Sequence, residues 1–407
     1  MIRFIVADLK RLWAGSLVIV LLVACAAALG IAVTLQERAL RLGSARAADA
    51  FDLVVAAPGS ETQIVLASVF LQPSALPLVS GSVLHTLSQD PRVAWAAPVG
   101  FGDFYGQIPI VGTTSDLVLQ GGKKTLTDGR MFSKRTEAVI GAKVEMALGD
   151  IVTPMHGLAH EGGHVHADAT YTVVGRAAET GSPWDKAILV PIEGVWHVHG
   201  MEGAHGLNLD PHHGEQNETV SIGEPWTADT PGVPAIIVKP KSIGDAYRLR
   251  QEYRTASTTA IFPAEVLTRL YATLGDARAL LSAVAIGSQI LVGAAIALVA
   301  VIHVGQKRSQ IAALRAFGAP RTSLFIIVWS QLLILTTLGA ALGMGLGYAI
   351  ARLISHLLKA ESGVTMPVAF IGSDMRMVIG LIVAASLLAL GPAALACRQS
   401  VAGALRR

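Results

Sequence analysis

Four stretches of the chain contain no Asp, Glu, Lys or Arg and are strongly apolar: Leu12 to Gln36, Ala279 to Gln306, Thr322 to Ala351 and Met377 to Cys397. They are 25, 28, 30 and 21 residues long. About 20 helical residues, at ~1.5 Å each, cross the roughly 30 Å hydrocarbon core of a bilayer, so the pattern predicts four membrane-spanning helices. Their spacing is uneven. The first is followed by 242 residues of mixed polarity, Glu37 to Arg278, whereas only 15 and 25 residues separate the later three. The predicted order is an N-terminal segment with the first span (1–36), a large domain (37–278), a second span (279–306), a short basic loop (307–321), a third span (322–351), a second loop (352–376), a fourth span (377–397) and a tail (398–407).

Inside the large domain the period changes. Short β-rich runs, Asp52 to Ala56, Pro109 to Gly112, Tyr171 to Gly175, Ala187 to Val190 and Pro234 to Lys239, are bounded by Gly, Pro and Asp. Helix-compatible stretches lie at about Thr62 to Leu71 and Pro263 to Leu274. An α+β domain is the expectation.

Composition agrees with a membrane protein. Apolar residues make up 52% of the chain, charged residues 15%, and the mean hydropathy is +0.53. Soluble domains carry roughly 25% charge, so an ordinary cytosolic enzyme is disfavoured, and so is a disordered chain. The two cysteines, Cys25 and Cys397, both fall in apolar stretches and make no disulfide framework. The net charge of +3 is a sum of opposed parts. Arg3, Lys10, Arg11, Lys307, Arg308, Arg315, Arg321, Arg398, Arg406 and Arg407, against Asp8, put +9 on one side of the four spans. The other 22 basic and 28 acidic residues leave −6 on the opposite side. The positive-inside rule then places both termini in the cytoplasm and the large domain outside a bacterial inner membrane. Leu22-Val23-Ala24-Cys25 is similar to a lipoprotein cleavage site, but apolar sequence continues from Ala26 to Val33, which a cleaved signal does not need.

The loop after the second span, Gln306 to Pro320, gives Ile311, Leu314 and Phe317 one helical face with Arg308 and Arg315 along its edge. Gly318 and Pro320 stop such a helix. On physics alone it either lies on anionic lipid or docks into a groove on a cytoplasmic partner. Here the sequence resembles FtsX-type ABC permeases, the permeases of the MacB, LolCDE and FtsX transporters. Three segments carry the resemblance: the basic start followed by Ile311-x-x-Leu314-Arg315-Ala316-x-Gly318, the glycine-rich Gly339 to Gly347, and the ending Gly391-Pro-Ala-Ala-Leu-Ala-Cys to Leu405-Arg406. It implies the one-plus-three helix layout and a MacB-like external domain with a porter-like part built from both flanks and an insert near 110–230. It also implies a coupling helix docked on an ATP-binding subunit, a role falling on Arg308, Ile311, Leu314, Arg315, Phe317 and Gly318. Ser60 to Leu66 and Glu137 to Val144 are similar to the family as well.

The chain has no phosphate-binding loop; the nearest fragment, Gly121-Gly122-Lys123-Lys124, lacks the spacing and the hydroxyl. ATP and Mg are therefore expected on a separate subunit, and this chain is expected to be non-catalytic. Gly339, Gly343 and Gly347 form two overlapping Gly-x-x-x-Gly steps. They suit close packing of two helices in lipid, either between two permease copies, a homodimer being the natural form, or within one subunit.

Histidine is concentrated. Nine of the twelve, His156, His160, His164, His166, His197, His199, His205, His212 and His213, fall between residues 156 and 213, within a His-rich insert of about 150–215. Glu161, Asp168, Glu202, Asp210 and Glu215 accompany them. Imidazole and carboxylate suit Zn²⁺ or Cu²⁺, and no thiolate is at hand. His197 and His199 on a strand would share a face; His156, His160 and His164 have helical spacing, but Gly157, Gly162 and Gly163 favour a loop. A solvated loop, a low-affinity zinc sensor or buffer, and an ordered site used in transport all stay open. His160-Glu161-Gly162-Gly163-His164 has the spacing of a metallopeptidase motif, but its two glycines oppose the helix that motif requires.

The expected function is a permease subunit that passes ATP-driven motion to its external domain, for export or extraction of a lipoprotein, lipid, peptide or hydrophobic compound. A periplasmic lipoprotein, an adaptor or an outer-membrane exit protein are candidate partners, and nucleic acid is not one. The alternative is a transmembrane signal transducer or metal sensor without transport. His303 is the one histidine within four stretches that hold no Asp, Glu, Lys or Arg, which argues against a polar conduit through the membrane.

Overall fold

The computed structural model describes residues 5, 9–11, 13–156, 164–165, 169–201, 222–223, 225–273, 283, 286–287, 290, 294, 318 and 320–398. The chain divides into two units. One comprises residues 1–40, 274–357 and 367–407, the other 41–273 and 358–366.

Among the described residues, three helices are long and apolar enough to cross a membrane. The first, α1 (Trp13–Ala48), has 36 residues and so runs about 54 Å, well beyond the charge-free stretch that ended at Gln36. The predicted second span, 279–306, and the coupling helix lie outside the described residues except at isolated positions. Side chains such as Leu17 and Leu21 of α1 stay exposed and apolar, as a lipid-facing surface requires.

The α+β unit is built around one twelve-stranded sheet. Its elements are β1 (Leu53–Ala56), α2 (Glu61–Ser68), α3 (Gly81–Gln89), β2 (Val93–Tyr105), β3 (Ile108–Thr113), α4 (Ser115–Val118), β4 (Leu126–Gly129), β5 (Glu137–Ile140), β6 (Ile151–Val152), β7 (Met155–His156), β8 (His164–Val165), β9 (Tyr171–Ala177), β10 (Ile188–Pro191), α5 (Ile192–Val198), β11 (Ala235–Pro240), α6 (Ile243–Glu252), β12 (Thr259–Ile261) and α7 (Pro263–Thr273). The main strand order is β12-β1-β11-β2-β3-β10-β5-β9-β4; β6 pairs with β9, and β7 pairs with β2 and β8.

Central strands are apolar at successive positions because both faces of the sheet are covered. Leu53 and Val55 of β1, Ile236 and Val238 of β11 and Ile188 and Val190 of β10 pack with Leu84 and Leu87 of α3 and Leu249 of α6. The alternate residues, Val54, Ile237 and Leu189, pack with Ile64 and Val65 of α2 and with Val266 and Leu267 of α7. Ser60 and Ser242 cap α2 and α6 by accepting the Gln63 and Asp245 backbone N–H.

Strand β2 belongs to both halves of the sheet. Val93 to Val99 pair with β11, and Gly100 to Tyr105 pair with β3. The change of partner falls near residue 100, inside the strand and without a loop.

The last two elements are α8 (Arg321–Ser362) and α9 (Gly372–Arg398). Helix α8 outlasts the charge-free stretch ending at Ala351, so the expected loop 352–376 is helical through Ser362 and again from Gly372. Residues 358–366 group with the α+β unit. The Thr365 N–H donates to the Gly181 carbonyl at 3.0 Å, and Lys143 Nζ lies 3.4 Å from the Gly363 carbonyl.

The glycine stripe of α8 faces α1 of the same chain. A Cβ at Gly339 would come within 2.7 Å of Val23 Cβ, at Gly343 within 2.5 Å of the Ala24 carbonyl oxygen, and at Gly347 within 2.7 Å of the Ala28 carbonyl oxygen. Packing within the subunit thus uses these three residues. Gly343→Leu is expected to drive α1 and α8 apart, lowering stability by about 1–3 kcal/mol or more. Thermal unfolding of the purified protein would show it, and an unchanged midpoint would contradict this packing.

Candidate functional site

Two features of the sheet bring Asp103, His156 and His199 together. A β-bulge between Phe101 and Asp103 falls at Gly102, whose φ is +143°, a conformation that disfavours any other residue. Bulges bend a strand and re-aim its side chains, and the next residue, Asp103, is 3% exposed. The second feature is the seat of α5. Gly100 and Gly112 pair across β2 and β3, and a Cβ on them would come within 2.7 Å of Ile192 Cδ1 and 2.5 Å of Val195 Cγ2. The bare backbone lets α5 lie close on the strands, and its C-cap residue, His199, reaches Asp103.

His199 Nε2 lies 3.1 Å from Asp103 Oδ2, and His156 Nδ1 lies 3.3 Å from Asp103 Oδ1. The two imidazoles meet edge to face, with centroids 5.3 Å apart and planes at 74°. His156 is exposed and His199 half-buried. The Asp103 hydrogen bond raises the pKa of His199 above its usual value against the opposing effect of burial, and the carboxylate charge adds to the rise. Burial pushes the Tyr171 hydroxyl well up, with the charge of Asp103 adding to it. Burial also raises the carboxyl of Glu193, in the first turn of α5, although its Oε1 accepts the Gly223 N–H at 2.7 Å.

Backbone pairing joins more of the predicted histidines to this place. Asp103 is the register partner of His156, and His156 that of His164, across β2, β7 and β8. His156 and His164 thus sit on paired strands, and residues 160–163 of the metallopeptidase-like segment lie outside the described residues. His197 and His199 do not share a strand face either: Pro191 and the preceding strand lead directly into α5, so His197 occupies its last turn, near Arg135, and His199 its cap. The side chains of His160, His164, His166, His205, His212 and His213, and of the five acidic neighbours, lie outside the described residues.

The carboxylate at the centre, Asp103, comes from outside the histidine-rich window. Its signal in the sequence is a lone acid in the run Val99-Gly-Phe-Gly-Asp-Phe-Tyr105 just before the Gly106-Gln107 turn, where a buried charge demands a partner. Phe101, Phe104, Leu71 and Leu76, with Asp103 and His156, line a largely apolar cavity of about 340 Å³.

Of the predicted coupling residues, Arg308, Ile311, Leu314, Arg315 and Phe317 lie outside the described residues. Gly318 has φ +88°, and α8 begins at Arg321, just after Pro320.

Apolar helices that precede and follow a large α+β region along the chain are compatible with a membrane permease. Residues 282–401 match the family described as FtsX-like permease C-terminal, which supports an FtsX-like permease. That match supports an ABC permease-type role. Among curated proteins, none matches the chain.

Proposed function

We propose that the chain is the permease subunit of an ABC transporter of the MacB, LolCDE and FtsX type, working with a separate ATP-binding subunit and a second permease copy in a bacterial inner membrane. The match at residues 282–401 carries this reading. In it, the ATPase engages Arg308, Ile311, Leu314, Arg315 and Phe317 from the cytoplasm. The α+β unit stands outside and is moved by the helices.

The lengths of α1 and α8 support transmission of motion. At about 54 and 63 Å they exceed the roughly 30 Å hydrocarbon core. The final turn of α8 and the residues after it are fastened to the β9–β10 loop. Lys359 pairs with Glu179 at 3.5 Å, and Lys186 donates to the Ala360 carbonyl. Cargo handled outside the membrane, a lipoprotein, lipid, peptide or hydrophobic compound, needs no charged path through it, in keeping with spans that hold no Asp, Glu, Lys or Arg.

Copurification of the full-length protein from its native membrane tests this reading. An ATP-binding subunit is expected to accompany it and to be lost from the paired variant Arg308→Glu/Arg315→Glu. A preparation free of any ATP-binding protein, or association indifferent to that charge reversal, would overturn it.

A further inference from the structure

We infer that Asp103, His156 and His199 form a preorganised site for a divalent first-row transition cation of the zinc class. Each supplies one ligand atom, and the three atoms lie within 4.8 Å of one another. They come from three elements, β2, β7 and the C-cap of α5, so ordering by the sheet rather than by neighbouring sequence brings them together. Zinc bonds of about 2.0–2.2 Å in tetrahedral geometry set ligand atoms roughly 3.3–3.5 Å apart. The imidazoles approach different oxygens of the one carboxylate, His199 Nε2 at 3.1 Å from Oδ2 and His156 Nδ1 at 3.3 Å from Oδ1, and with one oxygen as the ligand all three atoms stay within 4.8 Å. Small rotations of the half-buried and exposed rings close the remaining gap.

The donor set selects the ion. Two imidazoles and one carboxylate suit Zn²⁺, Co²⁺, Ni²⁺ or Cu²⁺. Calcium and magnesium take oxygen ligands, and Cu(I) prefers the sulfur that is missing here. Three ligands from the described residues leave the fourth position of a tetrahedral ion to water or a further donor. The exposed His156 side chain and the cavity that Asp103 and His156 both line give the ion a way in. Bound there, the ion would tie α5 to β2 and β7. It would bind whether or not the chain works with an ATPase.

Zinc titration of the full-length protein in lipid nanodiscs, in competition with a chromophoric chelator, tests the site. One tight site per chain is expected. His156→Gln and His199→Gln should each weaken it tenfold or more, and the triple variant His205→Gln/His212→Gln/His213→Gln should leave it within threefold of the wild type. With Co²⁺ as the probe, the visible absorption of the bound ion should change in His199→Gln and persist in the triple variant. Because Asp103 is buried, Asp103→Asn is a supporting variant and the two histidine variants decide. Absence of a tight site in the wild type, a smaller loss in either histidine variant, or a larger loss in the triple variant would overturn the assignment.

Discussion

Asp374→Ala is expected to lower stability by about 3–5 kcal/mol, the range for removing one partner of a buried ion pair. Arg38 and Asp374 meet through two bonds, Nη1 to Oδ2 at 2.8 Å and Nη2 to Oδ1 at 2.7 Å. Their side chains are only 13% and 4% exposed. This bidentate geometry is the strong form of such a pair. The same carboxylate accepts the Ile371 N–H at 2.9 Å just before α9 begins, so its loss also uncaps that helix. Arg38 lies on α1 two residues beyond the charge-free stretch, and the pair therefore joins the first and last described apolar helices. Thermal unfolding in detergent should show a large drop for Asp374→Ala and a smaller one for Asp374→Asn, which keeps an acceptor. The exchange Arg38→Asp with Asp374→Arg should recover part of the loss. A wild-type melting curve for Asp374→Ala would contradict this account.

The second large effect is expected at Asp185, which is 1% exposed. Its carboxylate accepts the Thr180 N–H at 2.7 Å, the Thr180 hydroxyl at 2.6 Å and the Gly181 N–H at 2.8 Å, and it pairs with Lys143 Nζ at 3.2 Å. Asp185→Ala leaves all four donors without this acceptor, and the cost is again about 3–5 kcal/mol. The loop it holds is the one to which residues 358–366 are fastened, partly through Lys143 itself. Limited proteolysis should therefore release fragments cut between 358 and 366 from Asp185→Ala much sooner than from the wild type. Equal resistance there would show that the anchoring lies elsewhere. Lys143→Gln removes one donor and leaves the backbone bonds intact, so a milder effect is expected.

Much of the α+β unit was legible because its strands are short, apolar runs punctuated by Gly, Pro and Asp. All five β-rich runs are strands, and the helices near 62–71 and 263–274 are α2 and α7. The long β2 was missed: its two glycines and buried aspartate interrupt the apolar pattern, and its two ends serve different neighbours. The extents of α1 and α8 were missed for a related reason. Polar and charged residues such as Gln36, Glu37 and Arg38 end a lipid-compatible stretch without ending a helix.

The site was half legible. Clustering drew attention to His156 and His199, yet the period of a strand or helix could not show that a carboxylate about fifty residues before His156 would be its ladder partner. Register across a sheet is a long-range property. Gly339, Gly343 and Gly347 lie against α1, and spacing alone does not say whose helix fills such a groove.

The double membership of β2 limits how either half of the sheet could be removed. A module joined through loops can be cut away and leave its host closed. Here the seam runs through the middle of a thirteen-residue strand. Excision at residue 100 would expose unpaired backbone donors and acceptors along the cut. A one-residue slip in β2 would also turn inward-facing residues outward in both halves together. The two halves therefore share one register.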